Sequence, residues 1–370
     1  MVHALGAWME EGQIHFMKTG RHAKDKSLLK SYIVEANTTE AVRERGGVAE
    51  FFSLLDTSIP VQVEFVDDPT VSMLKLGESE VEFYLDSLDP RFWVLHTTAP
   101  ASAADVTVRK LVHRTRLLDS VWLPTHEFEN WIGEISSPRR MTAKFALNTG
   151  IYRDSIPEEE LGNDSMLFSI GSVGNVLERW RRFREIDELS SMQALWSARG
   201  VRRSSPDDDI FSLEEVTAAG KVTVRGNSFL HHEAFLRDLQ ERYRSLITGW
   251  ENSFRLGWKQ SDSRKYGVTP TGSVAEVYWP FEMDTSDQES LLSVMFNCGE
   301  PYRLYGIPQD QGRSRYSIRA VDLHTGDKLD IELLPTHIWV YLSENACGNV
   351  LARLLTNLQH YHDARTALNG

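Results

Sequence analysis

Cysteine is nearly missing from this chain: 370 residues contain two, Cys298 and Cys347, and neither lies in a C-x-x-C pair. That excludes a thiolate zinc cluster and a disulfide-stapled scaffold. Long apolar runs are missing as well. No stretch approaches the roughly eighteen residues that a membrane span needs, and Met1 to Glu11 has neither the basic start nor the apolar core of an export signal. A soluble, cytoplasmic chain is the expectation. Positive charge is in deficit too, with 40 Lys and Arg against 53 Asp and Glu and a net charge of −13. General binding to a polyanion rests on neutralising phosphates, so this balance opposes it. Local basic patches remain open, because a field depends on where charges sit.

The common catalytic signatures are also missing. Gly220-Lys221 lacks the earlier glycine and the following hydroxyl of a phosphate loop. There is no H-E-x-x-H helix and no G-x-S-x-G elbow. No lysine has Asp or Glu two positions before it, so the D/E-x-K half of a metal-dependent nuclease site is absent. Gly171-Ser172-Val173-Gly174 could present amides to a phosphate, but a plain strand-to-helix turn accounts for it. The R-x-x-x-x-H spacings Arg91–His96 and Arg319–His324 lie in strand-like segments, where a separation of five points to opposite faces. No cofactor is implied.

What is present is a core former. Apolar residues make up 41% and charged ones 25%, with ten Trp and sixteen Phe, which is ordinary for a globular protein. At this length two or three domains are expected. Period-two or β-rich segments predict strands at Gln13–Lys18, Leu29–Glu35, Val61–Asp67, Val81–Leu85 and Arg91–Thr97. Helical spacing follows at Asp105–Leu118 and Glu127–Ile132. Met166–Ile170 reads as a strand, Val176–Leu189 as a helix that Met192–Arg199 continues, and Lys221–Arg225 as extended. Glu233–Leu256 is the strongest helix. Strands at Val274–Trp279, Tyr302–Gly306, Tyr316–Leu323, Lys328–Leu333 and His337–Leu342 precede a terminal helix, Asn349–Leu368, capped by Asn345 or Asn349. The acidic run Glu158–Glu160 and the polar stretches Ser204–Asp209 and Gln260–Lys265 read as loops and linkers. The resulting fold class is α+β: an N-terminal mixed-sheet domain (1–165), a central helical region (166–262), and a C-terminal antiparallel-rich sheet capped by a terminal helix (263–370).

Three constellations carry functional expectations. Arg303, Tyr305, Arg313, Arg315, Tyr316 and Arg319 interleave guanidinium groups with rings, which suits single-stranded nucleic acid or a nucleotide; the plainer reading is a hairpin whose arginines meet carboxylates. Leu236, Leu239, Tyr243, Leu246 and Trp250 form a seam at alternating spacings of three and four, for an intramolecular bundle or for a partner helix in a homodimer. Asp322, His324, Arg353, His360 and Asp363 would converge, if the terminal helix faced the preceding hairpin, as a metal or acid–base site; a hydrogen-bonded structural seam is the plainer alternative. The stretch Arg179, Arg181, Arg182 and Arg184 reads as a salt-bridged helix surface.

The expectation that follows is a non-catalytic binding or scaffold subunit of a cytoplasmic multiprotein assembly. It would contact other protein subunits and, through the arginine–tyrosine patch, nucleic acid, in a processing or phage-defence system. Twenty-nine arginines against eleven lysines suggest GC-rich coding and a bacterial source. The alternative is a hydrolase or nuclease built on the C-terminal His and Asp residues.

Overall fold

The computed structural model describes residues 1–20, 28–37, 47–54, 60–66, 68–77, 81–146, 165–171, 174–203, 209–260 and 267–369. Among them run eight helices and nineteen strands, so the chain is mixed α+β as expected. The first part holds α1 (Val2–Thr19), β1 (Leu29–Ala36), α2 (Gly47–Leu54), β2 (Val61–Phe65), β3 (Val71–Leu76), β4 (Val81–Asp86), β5 (Phe92–Thr97), α3 (Ala101–Arg114), β6 (Leu118–Ser120), α4 (Thr125–Ile135), β7 (Ser137–Ala146) and β8 (Ser165–Gly171). The middle holds α5 (Val176–Arg184), β9 (Leu195–Arg203), β10 (Phe211–Thr217), β11 (Lys221–Gly226) and α6 (Phe229–Phe254). The last part holds β12 (Gly257–Gln260), β13 (Val268–Thr271), β14 (Ala275–Tyr278), α7 (Thr285–Met295), β15 (Leu304–Asp310), β16 (Tyr316–Asp322), β17 (Lys328–Leu334), β18 (His337–Leu342), α8 (Asn349–Tyr361) and β19 (Ala367–Asn369). The acidic run at 158–160 and most of both linkers lie outside the described residues.

These residues fold as two compact units interleaved in sequence: 1–141, 170–178 and 197–243 form one, and 142–169, 179–196 and 244–370 the other. The first is built on an antiparallel sheet ordered β2-β3-β4-β5-β1-β11-β10-β9, continued by β7 and β8, with β6 also paired to β1. Strand β1 is buried at every position because it lies inside the sheet with both faces covered. Rings fill the core on one face, where Phe51 meets Trp93 edge-on at 4.9 Å. Close approach requires glycine at position 200, since a Cβ there would stand 2.0 Å from Ser136 Oγ.

The second unit carries a six-stranded antiparallel sheet, β15-β16-β17-β18-β14-β19, and a separate hairpin, β12-β13. Burial alternates along β16 and β17, as the Leu329, Ile331, Leu333 pattern required. The buried face packs against α7, α8 and the end of α6, through residues such as Ile318, Ile331, Leu354 and Phe254. Helix α7 starts where Asp284 accepts the Asp287 N–H at 2.9 Å.

Three sequence expectations are corrected. Gln13–Lys18 is not a strand but the end of α1, which Gly20 closes in the left-handed conformation. Met192–Arg199 does not continue a helix: β9 pairs with β10 over seven register positions, and that pairing overrides the helix propensity of Leu195, Ala198 and Arg199. At the start of α8 the cap position belongs to Gly348, whose N–H donates to Glu251 Oε1 at 2.9 Å. A side chain there would meet Ile247 and Glu251.

Candidate functional site

The terminal helix α8 is buried on every side, its polar stripe included. Arg353 is wholly enclosed; its Nη2 pairs with Asp322, and its Nε donates to the Tyr302 carbonyl at 2.8 Å. Asp322 Oδ1 also accepts the backbone N–H of His324 at 3.1 Å. This part of the expected site therefore comes together, as a buried ion pair fastening the β16–β17 hairpin to α8. His360 and Asp363 lie elsewhere. The His360 ring packs edge-on against Trp196 at 5.5 Å, with Nδ1 3.4 Å from the Lys144 carbonyl. Asp363 accepts from Arg365 Nε at 2.9 Å and Nη2 at 2.6 Å. Burial holds the imidazole of His360 down to about 4, with smaller opposing effects of the Lys144 carbonyl and ammonium. His362, enclosed by Trp279 and Phe281, is also lowered to about 4 by burial. The arrangement suits a structural seam. The five residues do not share one reaction centre.

The arginine–tyrosine patch divides by strand parity. Arg303 and Tyr316 are buried, the latter on the helix-covered face, where its hydroxyl points at Glu289 Oε1 from 3.4 Å. Nucleic acid has no access to either. Tyr305, Arg313, Arg315 and Arg319 are exposed. Tyr305 and Arg319 stand on the other face of the sheet, Arg319 in the cross-strand row Ile307–Arg319–Asp330–Tyr341 and Tyr305 in the row Tyr305–Val321–Lys328. The neighbouring row carries Glu332, Trp339 and Glu276. Ile307 is 66% exposed and Tyr305 48%. Charges on this face cancel: Arg315, Arg319 and Lys328 stand among Glu276, Asp330 and Glu332, and Arg315 Nη2 reaches Glu332 at 2.6 Å. Glu276 is held below the usual carboxylate range, first by the Asn369 amide at 2.9 Å and then by the Trp339 indole.

The edge beside this face is closed to strand addition. Leu304 turns its carbonyl outward, where Cys298 N–H takes it at 3.2 Å. Alternation then turns Pro308 outward, where it has no N–H to offer. On the helix-covered side of the same strand, Leu292, Phe296, Gly306, Pro308 and Tyr316 line an apolar pocket of about 340 Å³.

The seam residues Leu236, Leu239 and Tyr243 are each at most 2% exposed, and the Tyr243 hydroxyl accepts the Trp122 N–H at 3.0 Å. Trp250 packs against the C-terminal core. Leu236, Leu239 and Tyr243 thus serve the protein's own interior, as the intramolecular alternative expected, while Leu246 and Trp250 are half-buried.

The sequence did not disclose a fourth cluster, Ser31, His96, His232 and Glu214. The four are at most 1% exposed and lie together in the N-terminal unit. Ser31 Oγ is 2.8 Å from both His96 Nδ1 and His232 Nε2. The only available hint was a serine inside a β-branched and aromatic strand.

The profile of a family described as MJECL33-like protein matches residues 1–370. The "Uncharacterized protein MJECL33" of the archaeon Methanocaldococcus jannaschii is 24% identical over 375 residues, covering 93% of this chain and 86% of the relative. An archaeal relative does not fit the bacterial source expected from the arginine excess. Among the described residues no helix is long and apolar enough to cross a membrane.

Proposed function

We propose that this chain, which belongs to the MJECL33-like protein family, is a non-catalytic binding subunit that docks a partner protein on the open face of the β15–β18 sheet. One observation carries the reading: that face presents Tyr305, Ile307 and Arg319 beside Trp339 and Tyr341, whereas the opposite face is covered by helices. Tyr, Trp and Arg are the side chains that dominate interface energetics. A protein partner is favoured over nucleic acid because the acids on this face cancel its arginines. Docking by the face is favoured over strand addition because Pro308 blocks the edge.

The enzyme alternative has weaker support. Asp322 and Arg353 are committed to each other, and His360 and Asp363 are bonded to other groups.

Affinity capture from the native host tests the reading, using the wild-type chain and the double variant Ile307→Asp with Arg319→Glu. The expected result is a partner that the wild type retains and the folded variant loses. A retained partner set identical for both chains overturns it. Retention of single-stranded DNA by the wild type alone would reassign the face to nucleic acid.

A further inference from the structure

The buried cluster in the N-terminal unit is a chain of proton carriers. A hydroxyl has one proton, so Ser31 donates to one imidazole and accepts from the other. Beyond it, His232 Nδ1 faces Glu214 Oε1 at 3.8 Å. That is too long for a hydrogen bond. Neither oxygen of Glu214, nor His232 Nδ1, has a hydrogen-bond partner among the described residues. The order acid, histidine, serine is that of nucleophile activation. Ser31 is nevertheless enclosed in mid-strand between β5 and β11, with no exposure and its backbone in the ladders. No substrate reaches it.

The cluster does touch the seat of a helix. Phe229 stands edge-on to both rings, 5.5 Å from His96 and 6.0 Å from His232. Phe229, Leu29 and Val224 form the platform that receives Leu5 and Met9, the buried side chains of α1. Farther along, α1 exposes Ile14 and Met17. We propose that Ser31, His96, His232 and Glu214 form a proton-operated latch: proton uptake at His96 releases α1 from its platform.

The surroundings set the direction. From β10 the pair faces Glu214, and from α6 Arg237, which is tied to Asp86 and Glu233. From β4 it faces Tyr84, the register partner of His96; α1 offers the apolar Leu5 and Met9. Burial, then His232, then Arg237 hold His96 well below the ordinary range. The latched form therefore excludes a proton that the released form takes up near pH 6.5. Latching is complete above that value and is lost as pH falls, with the opening constant rising roughly tenfold by pH 5.5.

Hydrogen exchange of the full chain at pH 7.5 and 5.5, corrected for intrinsic rates, tests the latch. Amides of 2–19 should open about tenfold more at pH 5.5 while those of β1 and β5 stay protected. In His96→Asn with His232→Gln, a nitrogen remains at each bonding position but does not titrate, and the α1 opening constant should be flat across this range. Unchanged α1 exchange in the wild type overturns the proposal, as does a double variant that keeps the acid response. So does loss of α1 and strand protection together, which is plain unfolding. Imidazole nitrogen shifts of the wild type give a readout independent of the variant's folding: His96 titrating in its ordinary range with α1 still docked also overturns it.

Discussion

At the residue scale, the Arg353–Asp322 pair shows why a polar stripe on a helix is weak evidence for chemistry. An enclosed guanidinium must be matched by a carboxylate and by carbonyls, and it is, through Asp322 and Tyr302. Removing one partner leaves a buried charge uncompensated, so Asp322→Ala should cost about 3–5 kcal/mol in denaturant unfolding. Arg353→Met combined with Asp322→Leu should recover most of that loss; a double variant worse than the single one would contradict it. The neighbouring histidines give a pH dependence of definite sign. His360 and His362 stay neutral in the fold down to about 4, whereas the unfolded chain takes up protons near 6.5. Each contributes stability above pH 6.5 that is lost as pH falls toward 4, at about 1.4 kcal/mol per unit. His362→Leu, surrounded by Trp279 and Phe281, should flatten the stability–pH curve by that slope for one histidine. An unaltered slope contradicts the assignment. The sequence put Asp322 and His324 in a hairpin and Arg353 on the polar stripe of the following helix, and left their meeting conditional on how that helix packs. It could not show that His360 and Asp363 turn toward other partners, because spacing along a helix fixes a stripe and not what the stripe meets.

At the element scale, local pattern was legible where burial is one-sided. Helix α6 followed from its three–four spacing, and β17 from its alternation of Lys328, Asp330 and Glu332 with apolar neighbours. Because Leu239 is 1% exposed inside the chain, Leu239→Ala should destabilise by about 2–5 kcal/mol. Sedimentation should show no change in molecular mass for that variant. A lower mass would return the seam to a partner helix. Pattern misled where another signal shared the period. Gln13 and His15 alternate with apolar Ile14 and Phe16 like a strand, yet Leu5 and Met9 lie one helical turn apart and Gly20 closes the helix. Strand β10 hid its own significance, since nothing in the local pattern around Glu214 and Glu215 marks Glu214 as fully enclosed. That cluster depends on three strands and a helix meeting, a contact no local period records.

At the scale of the whole molecule, the family match spans the entire chain, so both units belong to the shared design. The mixed α+β architecture was readable from the order of elements. The interleaving of the two units was not, because it is set by long-range pairings such as β1 with β11, about 190 residues apart. The proposed docking role rests on the open β15–β18 sheet face, with Tyr305 and Ile307 exposed on it, and it can be tested on the assembled complex. Hydroxyl-radical footprinting of the wild-type chain, alone and with its captured partner, is the most direct measurement. Tyr305, Ile307 and Tyr341 should lose reactivity on binding while Trp258, exposed on the β12–β13 hairpin, should not. Unchanged reactivity across β15–β18, with protection appearing elsewhere, would contradict the docking role.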